Sequence, residues 1–118
     1  TYPWKLTLGD YAWVGDDAVL YTLGEITIGA NSVVSQKCYL CTGSHDFMSP
    51  HFDITASPVV IGEKCWLATD VFVAPGVSVG DGTVVGARSS VFKSLPANKI
   101  CRGNPAVVIR ERVETEKL

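Results

Sequence analysis

Two histidines are the side chains of this sequence best suited to move a proton near neutral pH. Both stand in one short stretch, "CTGSHDFMSPHFDITASP", residues 41–58. An imidazole can serve as a general base because it changes charge close to physiological pH; His45 is the candidate, and His51, deep in the loop, reads as structural or acceptor-facing rather than catalytic. Two are too few for a zinc site built from three histidines. Cys38 and Cys41 make a C-Y-L-C pair, yet no second pair and no adjacent histidine pair completes a metal site, so no metal is expected. Asp46, beside His45, and Glu25, further upstream, are the carboxylates available to orient an imidazole or to bind an acceptor.

The elements that must hold these residues follow from a repeat. An aliphatic residue recurs every six positions: Leu8, Val14, Leu20, then Ile28, Val34, Leu40, then Ile61, Leu67, Val73, Val79, Val85 and Val91. Glycine often follows this anchor, and four residues after it sits a small or apolar residue such as Ala12, Ser32, Cys38, Cys65, Val71 or Thr83. Two inward positions separated by one outward residue fit a very short strand, and six residues leave room only for that strand and a turn. A period of six walks around a helix and defines no face, so helix is disfavoured. Three such hexads per triangular turn give an all-β, parallel β-helix with a continuous aliphatic core, about four turns tall.

The repeat breaks twice. Between Leu20 and Ile28 two extra residues bulge out; between Leu40 and Ile61 about 15 residues leave the coil. Phe47, Met48, Pro50 and Phe52 in the second break point to a docked loop rather than a solvated tail. His45 is expected at the last position of a coil hexad, just before the chain departs.

With 118 residues, 47% apolar and 19% charged, the chain reads as one unit: coils at about 8–45 and 59–96, a loop at 46–60, and a tail at 97–118 with a short helix from about Ala106 to Glu114. A net charge of -2 offers no basic stripe for nucleic acid, and no apolar run is long enough to span a bilayer. Four irregularly spaced cysteines suit reduced thiols, hence a cytoplasmic location, better than a disulfide framework. Cys38 and Cys65 fall at inward positions, where they fill space rather than react. The chain opens on Thr1 without Met, as a piece whose targeting segment has been lost would.

Three segments, "GEITIGANSVVSQKCYLCTGSHDF", "KCWLATDVFVAPGVSVGDGTVVGARSSVFKSLPANK" and "RGNPAVVIR", resemble the hexapeptide-repeat acetyltransferases, in the branch similar to colanic acid biosynthesis and galactoside or maltose O-acetyltransferases. The resemblance covers nearly the whole chain, although the family's N-terminal portion is shortened or absent. It implies a left-handed coil, a homotrimer with sites at subunit interfaces, acetyl-CoA as co-substrate and a sugar hydroxyl as acceptor. It makes His45 the general base. On the cofactor side it points to Trp66 beside the pantetheine arm, Thr69 and Ala87 as backbone contacts, Phe92 and Lys93 near the nucleotide, and Arg110 at its phosphate. Where the family usually carries a second basic residue this chain has Val107, and Arg102 is the nearby cation able to compensate. A non-catalytic scaffold and a γ-carbonic-anhydrase-like protein are the alternatives that the same coil allows.

Overall fold

A computed structural model describes residues 1–113. After a 3₁₀ turn at Pro3–Lys5, the first coil comprises β1 (Leu6–Leu8), β2 (Trp13–Val14) and β3 (Val19–Tyr21). The second comprises β4 (Ile26–Ile28), β5 (Val33–Val34) and β6 (Tyr39–Cys41). A hairpin of β7 (Gly43–His45) and β8 (Ile54–Ala56) interrupts the coil. The third coil follows with β9 (Val59–Ile61), β10 (Trp66–Leu67) and β11 (Phe72–Val73), and the fourth with β12 (Ser78–Val79), β13 (Val84–Val85) and β14 (Ser90–Val91). Last come β15 (Lys99–Gly103) and β16 (Ala106–Glu111). Successive strands visit three parallel sheets in rotation. The first face is β1-β4-β9-β12, the second begins β2-β5-β10-β13, and the third is β3-β6-β11-β14. The expected three-sided parallel coil of four turns is therefore present.

The register aligns the anchors. Val14, Val34, Leu67, Val85 and Cys101 form one inward column on the second face. From Ile28 onward every anchor is buried, and Leu8 in the first coil is 47% exposed. Strands β1, β2 and β3 are edge strands with a neighbour on one side only, so that coil lacks half of its cover. The glycine after an anchor also has a reason. A Cβ on Gly29 would sit 2.6 Å from the Gly62 backbone, and one on Gly80 would sit 2.5 Å from the Ala97 nitrogen. Stacked corners leave no room for a side chain there. The third residue after an anchor takes left-handed backbone, as at Asn31, Lys64, Asp70 and Arg88, and glycine fills that place at Gly76 and Gly82.

Two expectations need correction. The tail from Ala106 to Glu114 was predicted as a short helix; Ala106–Glu111 is instead a strand, β16, antiparallel to β15, and Glu114 lies outside the described residues. The β-branched run Val107, Val108, Ile109 favours extended backbone. Strand β15 also offers an otherwise open sheet edge that a returning strand satisfies. Second, the chain leaves the coil before His45 rather than after it. Thr42 is the last coil residue, fully buried, and Ser44 is exposed instead of inward. Thr42 donates its hydroxyl to the Tyr21 carbonyl at 2.6 Å and accepts the Gly24 N–H at 2.7 Å. The bulge after Leu20 thus lies directly against the root of the hairpin, so the two breaks in the repeat form one feature at the corner between the third and first faces.

Candidate functional site

His45 ends β7, opposite Ile54 of β8. Beyond it the hairpin tip closes on itself: Asp46 N–H donates to Asp53 O at 2.7 Å, Phe52 N–H to Ser49 O at 3.0 Å, and the Ser49 hydroxyl to the Asp53 carboxylate at 2.9 Å. Phe52 is held in left-handed backbone, φ +54°, a conformation that costs an aromatic residue energy and persists where its surroundings enforce it. In that conformation its carbonyl oxygen lies 3.0 Å from His45 Nδ1, and its ring stacks on the imidazole at 4.5 Å between centroids and 22° between planes. A carbonyl only accepts, so Nδ1 carries the proton of the neutral ring and Nε2 presents a lone pair. Orientation of the ring falls to Phe52, which holds Nδ1, while the Asp46 carboxylate accepts the Met48 N–H at 3.0 Å through Oδ1. Glu25 in the bulge and His51 at the tip are both exposed.

The predicted cofactor residues occupy a different edge. Asp16, Gln36, Thr69 and Ala87 each lie two residues after an anchor of the second face, so they stand in single file along the corner between the second and third faces. Thr69 Oγ1 donates to the Gln36 carbonyl at 3.0 Å, and Arg88 N–H to the Thr69 carbonyl at 2.9 Å, which fixes these coils against each other. Trp66, 49% exposed, donates its indole N–H to Ser35 Oγ at 3.0 Å. It heads an outward row in register with Val84, Ile100 and Arg110. Phe92 lies on the third face, 6.0 Å from Phe72, which in turn lies 6.0 Å from Tyr39. Lys93, just beyond, is exposed. Trp66, Thr69, Ala87 and Arg110 therefore share the second face and its corner. Phe92 and Lys93 sit across the third face from them, and His45 stands at that face's far edge.

Sequence reasoning missed several residues. An open cleft of about 410 Å³ at the N-terminal end of the file is lined by Trp13, Asp16, Asp17, Gln36 and Lys37, among others. Trp13, 65% exposed, pairs with Val33, the same residue that pairs with Trp66. Phe52 was read only as a loop hydrophobe. One signal was available: residues 86–113 contain six Lys or Arg and a single acid, Glu111, in a chain that is acidic overall. The thiols are structural. Cys38 Sγ donates to Ala68 O and Cys65 Sγ to Gly80 O, each at 3.1 Å, and burial pushes both thiol pKa values up, as it does for Cys101. Among the described residues no three His, Cys, Asp or Glu side chains come together as a metal site, and no helix is long and apolar enough to cross a membrane.

Known proteins share this pattern. The family model for the bacterial transferase hexapeptide (six repeats) matches residues 58–93. WcaF of Escherichia coli K12, named as a colanic acid biosynthesis acetyltransferase, is 86% identical over 98% of this chain and 64% of its own length. The chain belongs to the hexapeptide-repeat acetyltransferase family. Within that family, the crystal structure of a maltose O-acetyltransferase from Clostridium difficile 630 superposes with a TM-score of 0.91 at 29% identity, over 96% of this chain and 62% of that one. A hexapeptide-repeat acetyltransferase of Vibrio cholerae, solved in complex with acetyl-CoA, gives 0.88 at 26% identity, over 93% and 62%. The chain thus spans somewhat less than two thirds of the length of these relatives.

Proposed function

We propose that this chain is the coil of an acetyl-CoA-dependent O-acetyltransferase that acts on a hydroxyl of a sugar or exopolysaccharide precursor. His45 serves as its general base. The observation that carries the reading is a histidine whose Nε2 lone pair is left open by the Phe52 carbonyl, beside a coil whose corner file of Asp16, Gln36, Thr69 and Ala87 is flanked by Trp66 and Arg110 on the second face. In the reaction, Nε2 of His45 accepts the acceptor's proton as its oxygen attacks the thioester carbonyl. The same nitrogen returns the proton to the sulfur that leaves, so no acyl-enzyme is needed. The imidazolium formed in between keeps its Nδ1–H on Phe52 O. Arg110 receives the phosphorylated end of acetyl-CoA, with Phe92 and Lys93 meeting it from the far side of a neighbouring chain's third face; Thr69 and Ala87 flank the arm with Trp66 beside it, and the cleft at Trp13 and Asp16 receives the acceptor, with Asp46 and Glu25 as further contacts.

One chain does not bring these parts together. The hairpin and the file stand on opposite edges of the third face, and between them Val19, Tyr39 and Phe92 are exposed apolar residues. A threefold ring of left-handed coils would close each file with a neighbour's hairpin and cover those side chains. Reduced, buried thiols and a CoA substrate suit the cytoplasm. Calorimetric titration with acetyl-CoA, followed by CoA release on a panel of sugars and oligosaccharides, tests the reading. Binding with acceptor-dependent release is expected, whereas a scaffold would not bind, and that result would end the enzymatic reading.

A further inference from the structure

The hairpin that carries His45 has no larger sheet to lean on. Strands β7 and β8 pair only with each other, and a lone two-stranded hairpin is marginal in water, so its direction is set where it leaves the coil. Phe52 orients the imidazole, but it belongs to the same hairpin and fixes nothing relative to the coil. The root, in contrast, meets the bulge. A Cβ on Gly43 would lie 2.7 Å from Tyr21 Cε2 and 3.0 Å from Leu23 Cδ2, and one on Gly24 would lie 3.3 Å from Thr42 Cβ and 3.5 Å from Ala56 Cβ. The ring edge of Tyr21 and the end of Leu23 therefore press on the bare backbone of Gly43, while Gly24 approaches both legs of the hairpin. Gly43 and His45 stand two positions apart on β7 and so share one face of that strand. A shift at Gly43 is carried straight to the imidazole.

Leu23 is itself held from the other side. Lys5 Nζ donates to the Leu23 carbonyl at 2.8 Å, and the ammonium lies 5.0 Å from the centre of the Tyr2 ring. Tyr2 N–H donates to Thr22 Oγ1 at 2.8 Å, and Thr22 is fully buried. The 3₁₀ turn before β1 thus grips Thr22 and Leu23, and the bulge grips the hairpin. The coil itself has no use for the two extra residues: Leu20 still packs against the core and Ile28 is still buried, as a plain hexad would leave them. What the extra length supplies is the seat under Gly43.

We propose that Leu23 and Tyr21 are positioning residues for the acetyl transfer: they seat the hairpin at Gly43 and so fix where His45 Nε2 points, and Lys5 locks Leu23 into that seat. The proposal rests on the reading of His45 as general base and adds to it the part that aims the base.

The test measures kcat and the KM for acetyl-CoA, as CoA release with the acceptor found by the panel above, alongside thermal unfolding. Leu23→Ala should lower kcat about tenfold, short of the roughly hundredfold that a 1 Å misplacement costs. The KM for acetyl-CoA should stay unchanged, because the corner file stands on another edge. Lys5→Met keeps the stem, removes the donor and should lower kcat several-fold, whereas Leu23→Met and Lys5→Arg should lose little. The decisive arm combines Leu23→Ala with His45→Ala. If Leu23 acts through His45, the double variant should be no slower than His45→Ala alone. Wild-type kcat in folded Leu23→Ala, a loss carried wholly by KM, or the full Leu23→Ala loss repeated in the His45→Ala background would each overturn the proposal and leave the general base in place. Should Leu23→Ala fail to fold, Lys5→Met, alone and with His45→Ala, decides by the same criteria. A His45→Ala protein as fast as the wild type would overturn the general-base reading and this proposal together.

Discussion

Gly24 donates its backbone N–H to the side-chain oxygen of Thr42, 18 residues later in the chain, at 2.7 Å, while the same hydroxyl donates to Tyr21 O. One buried side chain therefore ties the bulge of the first break to the root of the second. Thr42→Val keeps the shape and removes both side-chain bonds; the half-buried Gly24 N–H loses its partner, while Tyr21 O keeps the Thr42 backbone N–H at 3.3 Å. An unpaired buried polar group costs about 1–3 kcal/mol. Denaturant unfolding should show a loss toward the lower end of that range, and Thr42→Ser should recover most of it. Equal stability of the Val and Thr proteins would mean that the hairpin root is held by something else.

His45→Ala should lower turnover by roughly 10² to 10⁴ while acetyl-CoA still binds, since general-base catalysis is worth about that much and the corner file is built by other residues. If the site is shared between subunits, mixing His45→Ala chains with Trp66→Ala chains should restore partial activity. Verified mixed trimers without any activity would count against a shared site.

The left-handed backbone at Phe52 aims both its carbonyl and its ring at His45. Phe52→Gly keeps that backbone accessible and the carbonyl in place, so it should reduce kcat only several-fold. Phe52→Ile disfavours the conformation and should turn the carbonyl away, with a loss of kcat approaching that of His45→Ala. The order of the two variants is the diagnostic: if the isoleucine protein is the faster, the carbonyl does not set the tautomer.

Cys38 and Cys65 have thiol pKa values raised by burial, so the folded chain holds these protons to higher pH than the unfolded chain. Between the unfolded and folded values the folded state binds more protons, and stability must fall as pH rises above about 8.5. Cys38→Ala should flatten that fall, cost something like ~1 kcal/mol at pH 7 through lost packing, and leave turnover unchanged. Unfolding curves at pH 7 and pH 9.5 check the sign. Loss of activity in a folded Cys38→Ala protein would return the thiol to the chemistry.

The coil was legible because its signal is one-dimensional. Each anchor from Ile28 to Val91 needs only its own inward position, and the register follows from the period. Leu8 was legible as an anchor but not as an exposed one, since exposure depends on whether a coil lies on both sides. The helix read into Ala106–Glu111 failed because an open edge on β15 decided that segment, and an edge exists only once the sheet is assembled. His45 was singled out by its motif. Its partner Phe52 was not, because a left-handed residue whose carbonyl turns back seven positions leaves no pattern in the sequence. The file from Asp16 to Ala87 lay in the repeat arithmetic. Its charge polarity lay in the distribution of lysine and arginine, a count over segments rather than over the whole chain.

The corner file also works as a measuring stick. Its members are spaced by whole coils, and neighbouring parallel strands stand about 4.8 Å apart, so the distance from the cleft at Asp16 to the cations beyond Ala87 is available only in whole-number multiples of that interval. Inserting three complete hexads between Thr69 and Ala87 would leave every inward column in phase while shifting one end of the file by one graduation. A donor with a longer or shorter arm is the substrate for which such a ruler would be recut.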